Sequence, residues 1–223
     1  YSKVFVFLRE LTVMLMVDVS DSLNFGTQVM MKREMVTEIA ATLAFAAIEN
    51  NDKVGLLFFS DRIEKFIPPK KGRKHILHLI RELLDFQPES NSTDITVPLE
   101  YITGAVKKRC TAFLLSDFID PHDYMNALTI ANRKHDIVAI RVYDRRMEEL
   151  PDVGLMKLYD SESGQEMFVD TSSVKVRSAH KKWFDDNTAR LQDYLTRSCV
   201  DSVSVRTDQD YVKALMGLFA KRN

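Results

Sequence analysis

The sequence predicts a doubly wound α/β fold, with a mostly parallel central sheet flanked by helices. Two observations carry this expectation. Short apolar runs, led by LTVMLMVDV over 11–19, are apolar on consecutive positions, so both faces must be buried as in a parallel sheet. These runs also alternate with segments of helical period, and strand, helix, strand, helix is the signature of a doubly wound sheet. With 45% apolar residues among 223, the chain can bury a substantial core. It shows no repeat, low-complexity tract or linker, so 1–223 reads as a single domain.

The elements follow in order. Residues 4–7 suit a short partner strand ahead of the long run at 11–19. The polar stretch SDSLNFGT then leads into a helix striped by Met35, Ile39, Leu43 and Ala46, widened by Val36 and Ala47, and ended by Asn50-Asn51-Asp52. Residues 54–59 form the next strand. Residues 62–69 alternate and finish on Pro68-Pro69, which confines them to a sheet edge. Ile76, Leu79, Ile80, Leu83 and Leu84 stripe a second helix. A third carries Ile95, Leu99, Ile102 and Val106, with Pro98 tolerable in its first turn. After a strand at 111–115, Asp120-Pro121 reads as a cap and first-turn proline opening a helix to about His135. A strand at 137–142 follows. Two alternating runs around 161–164 signal a hairpin. A long helix over 174–197 is expected to bury Trp183, Phe184, Leu191 and Leu195. The chain closes with a strand at 202–205 and a helix bearing Tyr211, Leu215, Leu218 and Phe219, with Thr207 as its N-cap and Asp210 three residues on.

Composition narrows the function classes. Against 31 Lys and Arg stand 32 Asp and Glu, a net charge of −1 that provides no global pull toward nucleic acid or a membrane surface. Cys110 and Cys199 make neither a disulfide framework nor a metal spacing, and they suit a reducing, cytoplasmic setting. No apolar run approaches the roughly 20 residues that span a bilayer. The start at Tyr1, without an initiator Met, reads as the C-terminal part of a longer chain.

Ligands of open α/β sheets sit beyond the carboxyl ends of the strands. Three polar clusters fall at or near such ends: Asp18 to Ser22 in the pattern D-x-S-x-S, Ser92-Thr93-Asp94, and Ser116-Asp117 with Asp120 nearby. Asp, Ser and Thr are hard oxygen donors, which select Mg²⁺, Mn²⁺ or Ca²⁺ over zinc or copper. Two carboxylates and three hydroxyls leave a dication incompletely neutralised, so it would attract an acidic group from outside. The competing reading is ordinary turn and cap chemistry, for which the same residue types are common.

Asp18, Ser20, Ser22, Thr93 and Asp117 resemble the metal-ion-dependent adhesion site of von Willebrand factor type A domains. More closely, ELTVMLMVDVSDSLNFGT, STDI with LEYI after it, and LLSDFID resemble the bacterial family called domain of unknown function 58, which contains such a domain. The resemblance implies hydroxyl contacts to the metal from Ser20, Ser22 and Thr93, with Asp18 and Asp117 acting largely through bound waters, and Mg²⁺ as the ion. It also implies a non-enzymatic, metal-dependent protein-binding module, partnered by a MoxR-type AAA+ ATPase or its client. The role would be client remodelling or metal-centre maturation. Asp21 stands where Gly is common in the family; the sequence leaves open whether its carboxylate weakens the appetite for an acidic partner or points to solvent.

Other features read more plainly. His75, His78 and Glu82 share the polar side of an amphipathic helix and suit a solvated face better than a metal. The run PKKGRK gives Lys70, Lys71, Arg73 and Lys74, which a metal-independent scaffold would use to bind a partner. It lacks P-loop spacing. No G-x-S-x-G elbow is present, so a hydrolase reading has little to rest on, and a metal-assisted phosphoesterase would need a base that the sequence does not name.

Overall fold

The computed structural model describes residues 11–24, 30–159 and 166–222. The expected strand at 4–7 and the hairpin turn at 161–164 lie outside these residues. In chain order the elements are β1 (Thr12–Asp18), a short 3-10 turn (Asp21–Asn24), α1 (Lys32–Glu49), β2 (Lys53–Phe59), β3 (Ile63–Lys70), α2 (Arg73–Asp85) and α3 (Thr96–Ala105). There follow β4 (Thr111–Ser116), α4 (Met125–Lys134), β5 (Asp136–Tyr143), α5 (Arg145–Glu148), β6 (Leu155–Tyr159), β7 (Glu166–Asp170), α6 (Val174–Arg197), β8 (Asp201–Arg206) and α7 (Tyr211–Arg222).

The main sheet has the order β3-β2-β1-β4-β5-β8. Its strands are parallel except β3, the proline-bearing edge, which pairs antiparallel with β2. This is the expected doubly wound, mostly parallel α/β architecture. The hairpin β6–β7 forms a separate two-stranded sheet rather than an edge of the main one.

Strand alternation explains why the apolar runs are continuous. Val13, Leu15 and Val17 face one core with Met35, Ile39 and Leu43 of α1, Leu79 of α2 and Leu215 of α7. Met14 and Met16 face the other, with Leu99 of α3, Leu128 of α4, and Leu191 and Leu195 of α6. With period 2, a strand between two helical layers has no polar face to show. Gly55 of β2 is required by this packing. A Cβ there would stand 2.5 Å from Met14 Sδ and 3.0 Å from the Ile67 carbonyl of the neighbouring strand. Gly55→Ala is therefore expected to cost about 1–3 kcal/mol by overpacking, read from the urea midpoint. An unchanged midpoint would mean the β2–β3 seam opens freely.

Four local expectations are corrected. Asp120 does not open α4, which begins at Met125 with Asp123 accepting the Met125 N–H at 3.0 Å. Asp120 instead accepts the Ile95 N–H at 2.7 Å, ahead of α3. Thr207 is not the cap of α7, because its hydroxyl is drawn to buried Asp144 at 2.7 Å; Asp210 caps the helix through the Val212 N–H at 3.0 Å. Trp183 is 43% exposed, since it sits about 100° around α6 from buried Phe184. Ala46 is exposed, and Ala40 and Ala44 complete the buried stripe of α1.

Candidate metal centre

The sheet order reverses at the β1/β4 boundary, because β2 lies on one side of β1 and β4 on the other. The carboxyl ends of these strands therefore flank a topological switch point, where open α/β sheets bind ligands. The two strands are in register to Val17 with Leu115, which brings Asp18 and Ser116 level one step later. Both continue the parity of Met16 and Leu114, so they emerge on the same face.

Asp18 is fully buried and uses both oxygens. Oδ1 accepts the Ser20 N–H at 2.9 Å and the Ser20 hydroxyl at 2.7 Å, and Oδ2 accepts the Ser116 hydroxyl at 2.6 Å. Ser20 Oγ lies 3.0 Å from Ser22 Oγ, so the D-x-S-x-S pattern folds into one linked set of oxygens. Burial, and the Asp117 carboxylate beside it, push the Asp18 carboxyl up to about 6 despite these hydrogen bonds. Two carboxylates thus share a site with too little positive charge.

Asp117 directly follows β4. The turn is tight: Phe118 has φ +58°, and Ser116 Oγ accepts the Phe118 N–H at 3.0 Å. Asp117 Oδ1 accepts the Ile119 N–H at 3.1 Å, which fixes the carboxylate. Its Oδ2 meets Lys32 Nζ at 2.7 Å, both side chains being at most 2% exposed. Lys32 also lies 3.2 Å from Met147 Sδ of α5.

Thr93 is 1% exposed, and its Oγ1 has no hydrogen-bond partner among the described residues. Its segment is pinned to the same rim by backbone bonds, Asp21 N–H to the Asn91 carbonyl and Asp94 N–H to the Ser60 carbonyl, both 3.1 Å. Of the five expected residues, Asp18, Ser20 and Ser22 are joined by hydrogen bonds, Asp117 stands beside Asp18, and Thr93 lies on a segment bonded to theirs. Asp21 is half-buried at the start of the 3-10 turn.

Two features were not anticipated. Lys32 is one. The other is the trio Asp94, Asp120 and His122, each of which places a ligand atom within 4.8 Å of the others. His122 Nδ1 is 2.7 Å from Asp120 Oδ1, and this bond raises the histidine's pKa. The trio ties the segment ahead of α3 to the turn after β4. The His75, His78 and Glu82 face does not assemble as a metal site: His75 Nε2 is 2.8 Å from the Val54 carbonyl, and Glu82 pairs with Lys65 at 2.7 Å. Lys70, Lys71, Arg73 and Lys74 are exposed around Gly72.

A hard dication fits this donor set. Buried hydroxyls are almost always satisfied, so the orphaned Thr93 Oγ1 asks for a ligand of its own, and Asp18, Ser20, Ser22 and Asp117 likewise offer oxygen, as Mg²⁺, Mn²⁺ or Ca²⁺ require.

Among the described residues no helix is long and apolar enough to cross a membrane. The family model described as "Protein of unknown function DUF58" matches residues 1–190. "Uncharacterized protein Rv1480" of Mycobacterium tuberculosis is 30% identical over 223 residues, spanning 96% of this chain and 68% of that protein. Among solved structures, the conserved hypothetical protein BatB from Bacteroides thetaiotaomicron has a TM-score of 0.61 at 14% identity, covering 95% of this chain and 98% of that one. An aerotolerance-related membrane protein from Bacteroides fragilis scores 0.61 at 12% identity, covering 94% and 99%. These two likenesses speak to the fold alone. The family match and the relative speak to descent: the chain belongs to the DUF58 family.

Proposed function

We propose that the domain is a non-enzymatic, Mg²⁺-dependent protein-binding module. The observation that carries this reading is the orphaned hydroxyl of Thr93 on the rim that carries two buried carboxylates and a serine pair at the sheet's switch point. Ser20, Ser22 and Thr93 would hold the ion directly, with Asp18 and Asp117 orienting its waters. The ion would supply a Lewis-acidic position for an acidic side chain of the partner. The partner class is a MoxR-type AAA+ ATPase or its client, in client remodelling or metal-centre maturation, in the cytoplasm.

Calorimetric titration of Mg²⁺ into wild type and Asp18→Ala tests the metal. Heat of binding is expected in wild type and its loss in the variant; equal heats, or none in either, would remove the reading. Capture of the ATPase in Mg²⁺ but not in EDTA tests the partner. A second reading is favoured by the exposed basic turn: a metal-independent scaffold that binds through Lys70, Lys71, Arg73 and Lys74. Capture that survives EDTA and disappears on reversing those four charges would decide for it.

A further inference from the structure

Arg141 lies near the carboxyl end of β5, in register with Ser116 of β4 and Ser204 of β8. Alternation along β5 turns it to the face of Ile137 and Ala139, which packs against α6, and it is only 5% exposed. A buried guanidinium ordinarily sits against a carboxylate, because an unpaired buried charge is costly. Among the described residues no carboxylate forms an ion pair with Arg141. Asp117 and Glu148 act on its charge, but Asp117 is held by Lys32 at 2.7 Å and Glu148 lies 3.9 Å from Arg206. What the guanidinium touches is uncharged. The Thr188 hydroxyl accepts from Nη1 at 2.9 Å, and the ring centroids of Tyr143 and Phe184 stand 5.2 and 4.9 Å from Cζ. Nε is buried and has no acceptor among the described residues. Burial draws the arginine's pKa below its ordinary value, yet an arginine keeps its charge in a protein.

Arg141 lines a cavity of about 30 Å³ between α6 and β8, whose other polar walls are Thr188, Gln192, Ser202 and Ser204. Ser202 and Ser204 share its face, because they pair with Ala139 and Arg141 across the parallel ladder. The rest of the wall is apolar. We propose that this cavity binds a small monovalent anion of chloride's size. The sign follows from the guanidinium, which offers donors alone. The size follows from the volume, which exceeds the roughly 10–15 Å³ that one water needs and is far too small for a nucleotide or a sugar. The valence follows from there being one cationic wall, which suits a single negative charge better than sulfate or phosphate. Hydroxyl and amide groups of the serines, Thr188 and Gln192 supply the remaining donors. The site is separate from the metal-dependent reading, since none of its walls is an expected metal ligand. A bound anion would pin α6 to the edge strand and stabilise the folded state by mass action.

Thermal unfolding in EDTA tests it, with sodium gluconate, whose anion is too large for the cavity, replaced by sodium chloride at constant ionic strength. The melting temperature of wild type is expected to rise saturably, by about 3–6 °C once chloride reaches ten times its dissociation constant. Arg141→Met, which keeps an unbranched stem beside the two rings, should lose that rise. So should Ser204→Asp, which sets a carboxylate at the position paired with Arg141 and should melt higher than wild type in gluconate. Ser204 is exposed, so this variant decides the matter if Arg141→Met does not fold. Crystals soaked in sodium bromide should show an anomalous peak against Arg141 in wild type and none there in Ser204→Asp. An equal chloride response in wild type and in the folded variants would reduce the effect to general salt stabilisation and overturn the proposal. Absence of both the response and the peak in wild type would overturn it as well, with water as the partner of Nε.

Discussion

Asp117→Ala is expected to destabilise the metal-free domain by about 1–3 kcal/mol, because it removes a buried carboxylate that accepts from the Lys32 ammonium and from the Ile119 N–H. The size follows from burial rather than from the pair's intrinsic strength. Lys32 is covered by the first turn of α1, by α5 and by the end of β4, so water replaces the lost contact poorly. Guanidinium denaturation in EDTA measures the loss. The double variant Lys32→Met with Asp117→Asn is expected to recover part of it, since uncharged groups then replace the buried pair. A loss below about 1 kcal/mol in Asp117→Ala would mean that water reaches the pair and that it behaves like a surface salt bridge.

The two residues of this pair differ in how legible they were. Asp117 ends an apolar run, and a polar residue at the carboxyl end of a predicted parallel strand is marked by position alone. The same holds for Asp18, Ser20 and Ser22, and parity along β1 and β4 then explains why Asp18 and Ser116 meet. Thr93 was legible only by its residue type and place before a helix, because its segment is held by backbone bonds to Asp21 and Ser60 that no local pattern encodes. Lys32 was not legible. A lysine opening an amphipathic helix reads as solvated, and its burial is imposed by partners 85 and 115 residues away. Its conflict with the helix dipole was the one available signal. Asp120 misled for the opposite reason. Asp-Pro is a good local cap signal, but its carboxylate found the Ile95 amide 25 residues back, and the helix it was expected to open starts at Met125 under another cap. Trp183 shows the limit of residue type as a guide to burial, since its place on α6 turns it away from the core.

Asp18→Asn is expected to act in the opposite direction to Asp117→Ala, stabilising the metal-free domain at pH 7.5. Burial and the neighbouring Asp117 hold the Asp18 carboxyl at about 6 in the folded protein, against 3.8 as its ordinary value. A raised carboxyl pKa means that the folded state grips the proton harder than the unfolded chain does. Stability therefore falls as pH rises from about 3.8 to about 6, and the full penalty, on the order of 3 kcal/mol, persists above that window. Asparagine keeps an acceptor for Ser20 and carries no charge, so it avoids the penalty, although its amide nitrogen cannot accept the Ser116 hydroxyl as Oδ2 does, which offsets part of the gain. In EDTA the stability difference between variant and wild type should be small near pH 4 and grow toward its full value by pH 7. Denaturation at several pH values reads it directly, and a variant less stable than wild type at pH 7.5 would contradict it. With Mg²⁺ present the order should narrow or reverse, because only wild type gains the binding free energy. The same proton also competes with the ion, so Mg²⁺ affinity should weaken as pH falls through 6 in wild type. A buried carboxylate that costs stability at neutral pH, and that asparagine could replace without that cost, is best explained by what its charge does when a cation is bound.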